Sequence, residues 1–437
     1  MKSKRVIILG GGISGLSLAY FLKRNSPIGD ITVVEKSSRA GGVFGTDIST
    51  GFFFERGPCL FKSDGHSGLS QLFKMLELDK KAAVAEPPYL KRYFSWKGKM
   101  QQVSLFSLDV WSHFFKEINA PVHTADESIY DFASRRFSPA IAEKYFEPMV
   151  CGYNGGDLKK LSINSYLPEL KAAEQQHGSI LLTYLRQSFK RKSPQWNQTE
   201  WLYFPEGSQA VIQALVDALA GHIRTNCAVE KIDYRDGKYF VETSQGVLEG
   251  DILCSALPAP VIGKLWVPEL LSIPVGGLTS VCLGYRKKVL PKRGFGFFFP
   301  PKNEEGALLA RFDSLVMPLQ NQHKEETRIA VRLRHSDADK EKAIELAVRA
   351  LKNHLKINDV PHRGEATIFE HGRPLMEVGH EPRIRALESM LAARFPNFYL
   401  VGNYFEGTLA HFCVSRSQTV ARNITNKLAS SLIPSPS

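Results

Sequence analysis

The sequence predicts an α/β, multidomain chain whose first unit binds a dinucleotide and is completed by two later returns of the chain. Three observations carry this. A buried strand, a glycine-rich turn and a helix open the chain at Lys4. A second strand ends in an acidic residue at the spacing a nucleotide ribose calls for. Two more buried strands stand far downstream, ending at Pro258 and at Gly402-Asn403.

The opening run "RVIIL" is β-branched and apolar, as for a strand covered on both faces. "SGLSLAYFLKRN" follows with helical periodicity. Between them lies G-x-G-x-x-G at Gly10, Gly12 and Gly15, with Ile13 and Ser14 inside it. Gly10 suits the tight turn, Gly12 lets a pyrophosphate approach the backbone, and Gly15 lets helix pack on strand. The phosphates would sit at a helix N-terminus, where free N–H groups and the dipole favour anions. The apolar run is too short for a secretory signal and no small-residue cleavage site follows, so the opening reads as part of the fold.

The second strand, "DITVVEK", brings Glu35 twenty residues past Gly15, where a carboxylate accepts hydrogen bonds from ribose hydroxyls; Lys36 stands beside it. Next, "EKSSRAGGVFGT" adds Arg39, Gly41 and Gly42, a second close backbone approach with a guanidinium for a pyrophosphate.

The first return is a β-meander from Cys227, with turns at Asp236-Gly237 and Gln245-Gly246, running into the buried strand "DILCSALP". Val229, at the head of the meander, joins the cofactor-binding candidates. The second return, "FPNFYLVGNYFEG", adds Gly402 and Asn403 and precedes a helix aimed N-terminus first at the cofactor. These returns place the cofactor domain at 1–85, 201–260 and 396–432. Residues 86–200, rich in aromatic, helical-looking segments, read as a helical insertion, and 261–395 as a sheet-plus-helix substrate domain.

The chain has 437 residues and a net charge of +12, a balance that favours an anionic partner as well as fitting an unspecialised basic surface. Nucleic acid lacks a motif. The six cysteines and twelve histidines show no metal spacing, and no apolar run suffices to span a membrane. A cytoplasmic protein is expected. The insertion's aromatic and basic residues predict a peripheral contact with the inner face of a membrane. The run Lys190-Arg191-Lys192 reads as a solvated loop.

Glu35-x-x-x-Arg39-x-Gly41-Gly42 resembles the amine-oxidase and porphyrinogen-oxidase superfamily of FAD proteins. Further stretches resemble the oxygen-dependent protoporphyrinogen and coproporphyrinogen oxidases: Gly152, Gly155, Gly156 and Asp157, then Leu161-Ser162, Pro168 and Leu170; "EQQHGSI"; "PEGSQAVIQAL"; the Gly-Phe-Gly at Gly294; and Pro374 with Gly379-His380. "GTLAHFCVSRS" departs from that pattern, with Phe412 where relatives carry Asp. The resemblance implies a cofactor domain of the glutathione-reductase/amine-oxidase type with non-covalent FAD. It implies oxidation of a porphyrinogen by six electrons in three flavin cycles, with O2 as acceptor and hydrogen peroxide as product. It also implies that Arg92, in "LKRYFSW", reaches a substrate propionate, and it supplies no general base. A flavin amine oxidase, a carotenoid desaturase and a non-catalytic flavin-binding scaffold are the alternatives.

Overall fold

The computed structural model describes residues 4–25, 28–63, 65–96, 98–103, 107–189, 200–334 and 339–430. The Lys190-Arg191-Lys192 run lies outside them.

The opening strand, Arg5–Leu9, is the middle of a five-stranded parallel sheet. Its spatial order is Ile223–Arg224, Asp30–Val34, Arg5–Leu9, Ile252–Ser255, Phe398–Leu400. Three widely separated stretches therefore build one sheet. Helix Ile13–Asn25 buries every side chain from Ile13 to Leu22. It packs beside the C-terminal helix Ala410–Ser430, whose Ser417 hydroxyl donates to the Ser14 carbonyl at 2.8 Å. The meander forms as three antiparallel strands, Val229–Arg235, Lys238–Thr243 and Gly246–Gly250. Its first turn takes positive φ at both Asp236 and Gly237, the geometry that Asp-Gly favours.

A seven-stranded sheet forms the second layer. It runs Arg363–Pro374, Val275–Tyr285, Thr327–Arg334, Ala307–Arg311, Gly296–Phe298, Arg92–Trp96, Lys99–Gln102. Alternation sorts its faces. Val281, Leu283, Val331 and Leu333 join the core under helix Lys340–Leu355. Ala330 and Arg332 alternate with them, and face the other way, lining a cavity with Val43 and Arg56.

The stretch from residue 86, expected to be helical, opens with one 3-10 turn, Pro87–Leu90, and then runs into two strands. Arg92–Trp96 pairs in parallel with Gly296–Phe298, and Lys99–Gln102 closes that edge. The reason is alternation: Tyr93 packs into the core beneath Lys340–Leu355, while Phe94 packs into the helical block. Helices begin at Leu108 and continue to Phe189. Inside that block Arg136 and Glu117 are fully buried and paired at 3.5 Å, and Arg136 also meets Glu174 at 3.2 Å. Among the described residues no helix is long and apolar enough to cross a membrane.

Candidate active site

The carboxyl ends of four parallel strands converge on one place, the end of such a sheet where ligands bind. Arg5–Leu9 delivers Gly10, whose N–H donates to the Val34 carbonyl at 2.8 Å and whose φ of +98° favours glycine. A Cβ on Gly15 would lie 2.0 Å from the Gly10 carbonyl oxygen, so strand and helix meet this closely only because residue 15 is glycine. A Cβ on Gly12 meets nothing within 4 Å: space is open above it, at the start of the helix that carries Ile13 and Ser14.

Asp30–Val34 delivers Glu35. Its buried carboxylate accepts from the Gly11 and Ser37 N–H groups, each at 2.9 Å. Cys227 N–H donates to the Glu35 carbonyl at 2.9 Å and brings the strand that starts at Val229 alongside; Lys36 is exposed. The two glycine segments touch. Gly41 N–H donates to the Gly11 carbonyl at 2.8 Å, and Gly42 follows in the left-handed region with φ +57°. Arg39 Nη1 donates to the Phe44 carbonyl at 2.8 Å. Phe398–Leu400 delivers Gly402, φ +142°, and Asn403, seven residues before the C-terminal helix starts. The structure thus brings the predicted cofactor residues to one end of the sheet. Open space at a helix N-terminus, a buried carboxylate at ribose spacing and a second glycine pair fit FAD.

Past Val43 lies a cavity of about 60 Å³ lined by Arg56, Gly57, Arg311, Arg332, Phe369 and Arg373. A larger one of about 340 Å³ shares Val43, Arg56 and Phe369 and reaches Arg39 and Gly42. The arginines are not equally balanced. Arg56 pairs with Asp47 at 2.5 Å and Glu365 at 2.7 Å. Arg311 holds Asp313 at 2.5 and 3.1 Å. Arg373 donates to the Tyr153 carbonyl and to Asn154 Oδ1, both uncharged. Arg332 Nη1 is sealed from solvent without a hydrogen-bond partner. Burial, and then the positive charges of Arg373 and Arg311, push the Arg332 guanidinium down to about 9.

Arg92 does not line this cavity. Its Nε donates to the Tyr153 hydroxyl at 3.1 Å and its guanidinium lies over the Phe295 ring. Sequence reasoning missed Arg311, Arg332 and Arg373. The one available signal was "TRIAVRLRH", where arginines alternate with apolar residues; on its own that pattern describes a solvated strand face.

A family model of flavin-containing amine oxidoreductases matches residues 13–425. The protoporphyrinogen oxidase of Bos taurus is 26% identical, over 96% of this chain and 98% of that protein. The coproporphyrinogen III oxidase of Bacillus subtilis (strain 168) is 24% identical, over 98% and 99%. Among solved structures, one from Exiguobacterium sp. 255-15 assigned as a protoporphyrinogen oxidase superposes with a TM-score of 0.84 at 22% identity, covering 98% of this chain and all of that one. A UDP-galactopyranose mutase superposes with a TM-score of 0.76 at 14% identity, covering 98% and 95%, a likeness of fold.

Proposed function

Because the chain belongs to the family of flavin-containing amine oxidoreductases, we propose that it is the oxidase of a porphyrinogen, either protoporphyrinogen IX or coproporphyrinogen III. The overall change removes six electrons and six protons, with three O2 reduced to three hydrogen peroxide, in the service of haem synthesis. FAD is the cofactor, and when bound it supplies a two-electron acceptor.

The observation that favours a porphyrinogen over an amine is the charge of the cavity. Arg332 and Arg373 have no carboxylate partner within 4 Å among the described residues, so the site repels a protonated amine and attracts propionates. Relatives named for protoporphyrinogen and coproporphyrinogen oxidation along nearly their whole length support the same reading. The chain's own residues have distinct tasks. Gly10, Gly12, Gly15 and the first turn of the following helix hold the pyrophosphate; Glu35 holds ribose; Arg39, Gly41 and Gly42 close the second side. No carboxylate or imidazole lines the smaller cavity, so orientation and charge are the protein's contribution there. The insertion adds a peripheral membrane contact, supported by Leu108 and Phe115, which are 88% and 77% exposed.

Oxygen uptake and peroxide release by the purified holoenzyme test the proposal. Substrates are protoporphyrinogen IX, coproporphyrinogen III, putrescine and benzylamine. Porphyrin should appear with three peroxides per ring, and the amines should be inert. Amine oxidation without porphyrin formation would overturn it; a yellow protein inert to all four would favour the scaffold reading.

A further inference from the structure

We propose that Arg332, with Arg373 as its second prong, is the receptor for one carboxylate side chain of the substrate. This rests on reading the chain as an oxidase of a carboxylated tetrapyrrole.

The placement is fixed by the sheet. On Thr327–Arg334 the neighbours Val331 and Leu333 are locked in the core beneath Lys340–Leu355, so Arg332 has no choice but the cavity side. What sets it apart is its missing partner. Buried polar groups are almost always satisfied, and an exception calls for a reason. Arg56, Arg311 and Arg328 nearby each pair with a carboxylate, although the Nε of Arg56 is also buried without a partner. Arg311 is held in two-pronged fashion by Asp313. Arg328, on the same strand, pairs with Glu326 at 3.1 Å and donates to the Phe53 and Met317 carbonyls at 2.8 and 2.9 Å. Arg332 lines the cavity, its Nη1 is buried with nothing to donate to, and it has no carboxylate partner within 4 Å among the described residues.

Charge and size agree on what belongs there. Asp313 balances Arg311, and Asp47 and Glu365 outweigh Arg56 by one charge, while Arg332 and Arg373 have no carboxylate of their own. An unpaired buried charge is costly, and the depressed Arg332 guanidinium registers that cost. A guanidinium matches a carboxylate with two parallel N–H···O bonds. The cavity, about 60 Å³, holds about four to six waters at the 10–15 Å³ each requires. That is room for a carboxylate and too little for a pyrrole macrocycle, whose body must lie outside it. Arg373 is pre-aimed by the Tyr153 carbonyl and Asn154 Oδ1, at the end of helix Glu147–Asn154.

The test uses holoenzyme and coproporphyrin III, the product ring, read by quenching of protein fluorescence so that no turnover is involved. Arg332→Gln should weaken binding roughly ten- to a hundredfold, with Arg332→Lys between it and wild type. The tetramethyl ester, which has no carboxylate, should bind both proteins alike. Flavin content should stay full and the unfolding temperature should hold or rise, because a lone buried charge has been removed. Wild-type affinity for coproporphyrin III in a flavin-replete Arg332→Gln overturns the proposal. So does loss of flavin in Arg332→Lys and Arg332→Gln, which would assign the guanidinium to the cofactor. If wild type neither binds nor oxidises any tetrapyrrole, the oxidase reading fails, and sodium benzoate then decides the site. Thermal stabilisation by benzoate in wild type but not in Arg332→Gln sustains a carboxylate receptor; no stabilisation in either removes it.

Discussion

Arg92 and Tyr153 are joined by a 3.1 Å hydrogen bond from guanidinium Nε to phenol oxygen, and the same tyrosine offers its carbonyl to Arg373. The expected propionate ligand is therefore linked to the cavity through Tyr153 of the glycine-rich Cys151-Gly152-Tyr153-Asn154 segment. Arg92→Ala should lower kcat/KM on a porphyrinogen by about 1.5–3 kcal/mol, on the order of ten- to a hundredfold, with flavin content unchanged. Tyr153→Phe removes only the hydroxyl and should cost about 0.5–1.5 kcal/mol. The double variant separates direct from indirect action. If Arg92 works by holding Tyr153, the two losses will not add; full additivity assigns Arg92 a contact of its own.

Gly12 and Gly15 should fail in different ways. Valine at Gly12 meets no protein atom near its Cβ, yet it occupies the open space assigned to phosphate. Gly12→Val should give folded, colourless protein, read as the ratio of visible to 280 nm absorbance. Alanine at Gly15 must push the Gly10 carbonyl away from 2.0 Å. Gly15→Ala should lose about 1–3 kcal/mol of stability or more as well as flavin. A yellow Gly12→Val would show that the cradle is misassigned.

These two halves of the site differed in how far they could be read in advance. The glycine cradle was legible because its demands are local: a turn, a close approach and a carboxylate at fixed spacing, all inside Gly10 to Gly42. The arginine cavity was not. Arg311, Arg332 and Arg373 come from three different strands, and only pairing across the sheet brings them together. Arg92–Trp96 hid for the same reason, since its parallel partner Gly296–Phe298 lies some two hundred residues downstream. Its aromatic residues look alike in helix or strand until the alternation of Tyr93 and Phe94 is given two cores to fill.

Leu108 and Phe115 stand out from the insertion beside the stacked pair Trp111 and Phe114. Burying one such side chain in a membrane interface contributes up to about 1.5–3 kcal/mol. Wild-type protein should float with anionic vesicles, and a Leu108→Asp/Phe115→Asp variant should lose at least roughly tenfold of that partition. Equal flotation of the two proteins would move the contact elsewhere, and no flotation by wild type would remove it.

His380 ties stability, and with it the last cofactor strand, to pH. The ring is buried, and its Nε2–H donates to the Tyr404 carbonyl at 2.9 Å, next to Gly402-Asn403. Burial holds the imidazole below its ordinary range, with Arg383 adding in the same direction. The sign follows from which state takes the proton first. As pH falls through about 6.5, the unfolded chain protonates His380 while the folded chain does not. Stability is therefore complete above about pH 6.5 and declines below it, by at most about 1.4 kcal/mol per pH unit, until the folded-state value is reached. His380→Gln keeps an N–H for the Tyr404 carbonyl and removes the titration. Denaturant midpoints between pH 7.5 and 5 should fall less steeply in His380→Gln than in wild type, and flavin release in acid should ease in step. Identical slopes would mean that His380 takes up its proton at the same pH in the folded and unfolded chains, and that other groups set the acid limit.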